Sequence, residues 1–103
     1  MRRRGRFADP IRRQLDLFLE EQADLVDECD RAIARYDAAD RSDAEELYGD
    51  YVDLVESATE ILADMRDRYA AALADEAAEA YEAEFNRVVA KRLPRFALEI
   101  ENR

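Results

Sequence analysis

Two amphipathic segments of similar length, residues 11–36 and 48–72, constrain the fold of this chain more than any other feature. In the first, Ile11, Leu15, Phe18, Gln22, Leu25, Cys29, Ala32 and Tyr36 recur at steps of four and three. In the second, Tyr48, Tyr51, Val55, Ala58, Leu62, Met65, Tyr69 and Ala72 do the same. Such spacing places the apolar side chains along one face of an α-helix. Leu19, Val26 and Ile33 widen the first stripe, and Leu47, Val52, Leu54 and Ile61 widen the second. A stripe of that width touches more than one neighbour, as in a bundle. Between the two segments lies a short polar link, Ala39-Asp40-Arg41-Ser42, which calls for antiparallel helices. Ser42-Asp43-Ala44-Glu45 fits a capping box at the start of the second helix. Gly49 marks either a close approach of the first helix or a slight bend.

The composition agrees with an all-α fold. Of the 103 residues, 49% are hydrophobic and 41% charged, and only two Gly and two Pro punctuate the chain. A β-rich fold with many tight turns needs more of both. Asp9-Pro10 opens the first helix, since Asp caps free N–H groups and Pro has no N–H to lose at the first helical position. Gln22, the one polar residue of the first stripe, either fixes register or sits at a wet edge.

A third stripe, Ala77, Tyr81, Phe85, Val88 and Val89, is out of phase with the second. From Tyr69 to Phe85, an advance of 16 residues carries it about 160° around a helix. Either the chain turns near Asp75 and folds back, or one helix of about 50 residues runs on with its far half on another subunit. We favour the turn. Pro94 ends the helical pattern, and Phe96, Leu98 and Ile100 then alternate with Ala97 and Glu99, as in an extended segment. The resulting division is a flexible basic arm at 1–8, a helical hairpin and bundle domain at 9–93 and a tail at 94–103. The domain's helices are expected at about 10–38, 43–74 and 75–93. The widened stripes lead us to expect a homodimeric bundle, with Phe18, Leu25, Tyr48, Tyr51, Tyr81 and Phe85 at the interface.

Charge is spread unevenly. Residues 1–13 carry +5, residues 14–86 carry −18 and residues 87–103 carry +3, for a total of −10. An acidic body repels nucleic acid and anionic membranes. Weak contact through Arg2, Arg3, Arg4 and Arg6 is the exception, with phosphate, lipid head groups or another subunit's acidic face as targets. No apolar run reaches the ~20 residues of a membrane span, and the early arginines are not followed by an apolar signal core. A cytoplasmic protein is expected. Cys29, the only cysteine, cannot form an intrachain disulfide and falls in apolar register.

The absence of His removes Ser–His and Cys–His nucleophile pairs, the Glu-x-x-His ligands of di-iron bundles and ordinary zinc sites. There is no Gly-rich phosphate loop. Carboxylates remain. Glu21, Asp24 and Glu28 form a stripe on the first helix; Glu46, Asp50 and Asp53 form another on the second. Facing one another, they would suit Mg²⁺, which takes oxygen ligands. Glu20-Glu21-Gln22-Ala23-Asp24, followed by Glu45-Glu46-Leu47-Tyr48-Gly49-Asp50, resembles the E-E-x-x-E … E-x-x-D pattern of the MazG-type nucleoside triphosphate pyrophosphohydrolases. That resemblance covers residues 20–56 at most. It implies Mg²⁺ held by Glu21, Asp24, Glu46, Asp50 and Asp53, and cleavage of nucleoside triphosphates to monophosphate and pyrophosphate. It departs at Asp24, which stands for Glu, and at Glu46 and Asp50, which are four apart instead of three. The leading expectation is a non-catalytic interaction or assembly protein without a cofactor, binding a protein partner or itself through apolar helix faces; the alternative is a Mg²⁺-dependent pyrophosphohydrolase.

Overall fold

The structure is a computed structural model that describes residues 5–103. Arg2, Arg3 and Arg4 lie outside the described residues. The chain is all-α: α1 (Ala8–Glu21), α2 (Ala23–Asp37), α3 (Arg41–Ala70), α4 (Asp75–Arg92), a 3₁₀ turn (Pro94–Phe96) and α5 (Ala97–Glu101). No helix among the described residues is long and apolar enough to cross a membrane.

The first amphipathic segment is two helices, not one. Gln22 leaves helical geometry (φ −109°, ψ 27°), yet its N–H still donates to the Phe18 carbonyl at 2.8 Å and its carbonyl accepts from Val26 at 3.0 Å. Gln22 thus closes the last turn of α1 and accepts the first bond of α2, and the chain bends between them. This lets α2 stay on α3 while α1 packs against α4. α2 and α3 run antiparallel: Tyr36 meets Tyr48 near the loop, and further along Arg95 bonds both Asp30 of α2 and Tyr51 of α3.

The chain turns over Ala71–Ala74 without Gly or Pro, and α4 folds back along α3. Tyr81 lies on Tyr69, and Asn86 accepts from Arg66. Asp75 begins α4, where its charge suits the helix dipole, and Ala74 occupies the cap position. The expected capping box at Ser42 does not form. Asp40 holds the cap position with extended backbone, and Ser42 is already inside α3.

The core gathers Ile11, Leu15 and Phe18 of α1, Val55, Ala58 and Leu62 of α3, and Tyr81, Phe85 and Val89 of α4. Phe96 and Ile100 complete it from the C-terminal segment. That segment is helical, contrary to the extended reading. Phe96 and Ile100 are four apart, which serves one face of a helical turn as well as alternate positions of a strand. Arg66, only 3% exposed, secures it. Its Nη1 donates to the Ile100 carbonyl at 3.1 Å and to Asn86 Oδ1 at 3.0 Å, and its Nη2 donates to the Arg103 carbonyl at 2.7 Å. One guanidinium thus bonds two carbonyls at the end of a short helix, of which the Ile100 oxygen also accepts from the Arg103 N–H at 3.3 Å.

The described part of the N-terminal arm is likewise docked. Phe7 is buried edge-on against Tyr81, and its N–H donates to both Glu84 carboxylate oxygens at 3.0 and 3.2 Å. Glu84 plays the part of a capping-box glutamate from another helix. A Cβ on Gly5 would collide with that carboxylate, which would have to shift to admit it.

Candidate interaction surface on the α2–α3 hairpin

The residues of α3 divide sharply. From Val55 to Ala70 seven are buried, because α4 and the C-terminal segment pack on that half. From Arg41 to Leu54 none is buried. Over that stretch α2 covers one face only. Ala44, Leu47, Tyr51, Val52 and Leu54 are half-buried, and Tyr48 is 48% exposed. On α2, Ile33 and Tyr36 are half-buried, while Cys29 and Ala32 close the seam. The molecule measures 50 × 28 × 23 Å. Its long dimension matches α3, since 30 residues rise about 45 Å.

Three tyrosines mark this end. The Tyr36 and Tyr48 ring centroids are 5.1 Å apart, and those of Tyr48 and Tyr51 are 6.2 Å apart. Tyr51 already carries a cation. The Arg95 guanidinium lies 5.8 Å from its ring centroid, with Nε donating to the Tyr51 hydroxyl at 3.2 Å and Nη2 paired with Asp30 at 2.8 Å. Burial works against the Arg95 charge, but the bonds to Asp30 and Tyr51 outweigh it and raise its pKa. Charge concentrates here too: residues 23–54 hold eleven carboxylates and three arginines, a net −8 out of −10 for the chain.

The residues named as an interface fall into two groups. Phe18, Tyr81 and Phe85 lie in the chain's own core, because α4 folds back and the C-terminal segment covers α1 and α3. That corrects their placement at an interface between subunits. Leu25 and Tyr51 are half-buried, and Tyr48 is exposed. Gly49 permits no close approach: nothing lies within 4 Å of a Cβ built there.

The carboxylates named for Mg²⁺ are all exposed: Glu21, Asp24, Glu46, Asp50 and Asp53. Asp50 and Asp53 line a shallow groove with Glu28 and Leu54, but Arg31 and Arg35 enter the same groove. Two guanidinium groups there oppose a divalent cation. Among the described residues no group of three or more Cys, Asp or Glu side chains is placed to hold a metal ion.

Reactive groups elsewhere are quiet. Burial raises the Cys29 thiol above its ordinary pKa, against a smaller lowering by Arg95. A buried protonated thiol is a poor nucleophile. Burial also pushes the Tyr81 hydroxyl well above its usual range, although its bond to Gln14 Oε1 acts in the other direction. Sequence reasoning did not mark Arg66 and Glu84 as buried. The signal was present: Arg66 stands in apolar register between Leu62 and Tyr69, and Glu84 stands between Tyr81 and Val88. No family model, curated protein or solved structure matches this chain.

Proposed function

We propose that the chain is a small, non-catalytic assembly protein that engages protein through the outer half of the α2–α3 hairpin. The observation carrying this reading is the division within α3: one half packs into a core and the other shows Tyr48, Leu47 and Val52 beside a single covering helix. Aromatic residues of this kind anchor interfaces, where a large rigid ring is desolvated at small entropic cost. The two groups with clearly raised proton affinity in the core, Cys29 and Tyr81, are held by burial in their neutral forms, which suits packing better than chemistry. The reading places the protein in the cytoplasm, where a lone buried thiol stays reduced. The MazG-type reading draws no support from the exposed, scattered carboxylates.

The test is site-specific photo-crosslinking in cells. A photoreactive residue at position 48 should give one discrete adduct, and Leu47→Asp with Val52→Asp should remove it. The same probe at Glu79, exposed on the body, should give none. Equal adducts from both positions, or none from position 48, would contradict the proposal.

A further inference from the structure

We infer that the surface on the hairpin receives a second copy of this chain, whose Arg2, Arg3 and Arg4 dock on its Tyr36–Tyr48 tip to build a head-to-tail assembly. The inference rests on the proposed interaction role and names the occupant.

The chain shows twice how it seats an arginine. Arg95 lies over Tyr51 and pairs with Asp30 of another helix. Arg6 lies 5.1 Å from the Phe7 ring centroid and pairs with Glu76 of α4 at 3.2 Å. Each site combines an aromatic ring with a carboxylate, so that cation–π attraction and an ion pair act on one guanidinium. The hairpin tip offers the same chemistry. Tyr48 is half-exposed and stacked on Tyr36; Glu45 lies one turn before it on α3, and the loop places Asp37 and Asp40 at the same end. Among the described residues no arginine lies over the Tyr36 or Tyr48 ring.

The chain carries a matching donor that cannot serve its own tip. Gly5 abuts Glu84, and the contacts of Tyr81 with Tyr69 and of Asn86 with Arg66 put Glu84 level with about residue 67 of α3. Tyr48 is then some nineteen residues, or about 28 Å, further along the helix. Arg2 is three residues from Gly5, at most about 11 Å of extended chain. Self-docking is out of reach, whereas a second copy meets no such limit. The contact joins two different surfaces, a basic end and an acidic tip with net −8 over residues 23–54. Contacts of that kind are heterologous and extend head to tail, or close into a ring where the rotation between copies allows.

The test is sedimentation velocity over a concentration series at low salt, with three proteins: the full chain, a variant lacking Met1 to Arg4, and Tyr48→Ala. The deletion leaves Gly5, Phe7 and their contacts with Glu84 in place, and Tyr48 is outside the core, so circular dichroism should confirm intact helices in both. The full chain should sediment faster as concentration rises, and each variant alone should remain monomeric. An equimolar mixture of the two variants should give dimers and nothing larger, because one supplies only the tip and the other only the arginines. Cutting the Debye length from about 30 Å to about 10 Å should weaken association about tenfold. A full chain that stays monomeric, a deletion variant that associates like the full chain, or variants that fail to complement would each overturn the inference. The broader interaction reading survives any of these results if position 48 still crosslinks to a different protein, so the two failures are distinguishable.

Discussion

Replacing Arg66 by Met should release the C-terminal segment while leaving the rest of the bundle folded. Met retains an unbranched apolar stem, so the packing of the buried stem changes little. What is lost is the guanidinium fork. Its bond to Asp67, at 2.9 Å, runs to a side chain that is 55% exposed, and an ion pair of that kind is worth little. The bond to the Ile100 carbonyl is buried; that oxygen keeps a longer bond from the Arg103 N–H, at 3.3 Å, so losing the guanidinium there costs about 1–2 kcal/mol. The bonds to Asn86 and the Arg103 carbonyl are part-buried, so water recovers some of them, at a net loss of about 0.5–1.5 kcal/mol each. Removing a buried charge offsets part of this total. A net destabilisation of roughly 2–3 kcal/mol follows, equivalent to a fall in Tm of about 10–20 °C for a chain of this size. Thermal melts give the magnitude, and amide exchange over residues 94–101 gives the location. A loss below about 3 °C, with unchanged protection of the Phe96 and Ile100 amides, would refute the claim that one guanidinium holds this segment.

Three further outcomes follow from other parts of the structure. Glu84→Ala should destabilise by about 1–2 kcal/mol by freeing the buried Phe7 N–H, and Gly5→Ala should cost less, since the Glu84 carboxylate that its Cβ meets is the end of a side chain that can shift; urea denaturation showing no loss for Glu84→Ala would argue against the docked N-terminus. Gly49→Ala should stabilise by about 0.5–1 kcal/mol, because the site is helical and faces open space, and a loss of stability there would mean that the hairpin is covered. Burial keeps Tyr81 protonated in the folded state, so the native chain binds its proton more tightly than the unfolded chain does. Stability is therefore full below the ordinary tyrosine pKa of about 10 and falls as pH rises above it. Tyr81→Phe should flatten that alkaline decline in denaturation curves, at a cost of about 1 kcal/mol for the lost bond to Gln14.

How far these features were legible depends on which force sets each one. Helical periodicity reports local burial, so the all-α class and the pairing of the segment around Tyr36 with that around Tyr48 could be read from spacing alone. The turn at 71–74 could be read only from the phase slip between Tyr69 and Phe85, because Ala-Ala-Leu-Ala has no intrinsic breaker. Nothing local marks the bend at Gln22 except its polarity. The bend is a tertiary compromise that lets α1 leave α3 for α4. Phe96 and Ile100 fit two periods at once, and packing chose the helical one. Arg66 and Glu84 were the least legible, since their burial depends on backbone groups that only the folded chain presents. The candidate surface was partly visible: Tyr48 and Tyr51 were marked as interface residues, but their separation from Phe18, Tyr81 and Phe85 required knowing where α4 lies.

The division of α3 into a packed half and an open half is the centre of this account, and amide hydrogen exchange along that one helix tests it most directly. At low concentration, amides from Ala44 to Leu54 should exchange far faster than those from Ala58 to Ala70, and at high concentration and low salt the outer amides should gain protection while the inner ones stay unchanged. Uniform protection along α3 that does not respond to concentration would contradict it.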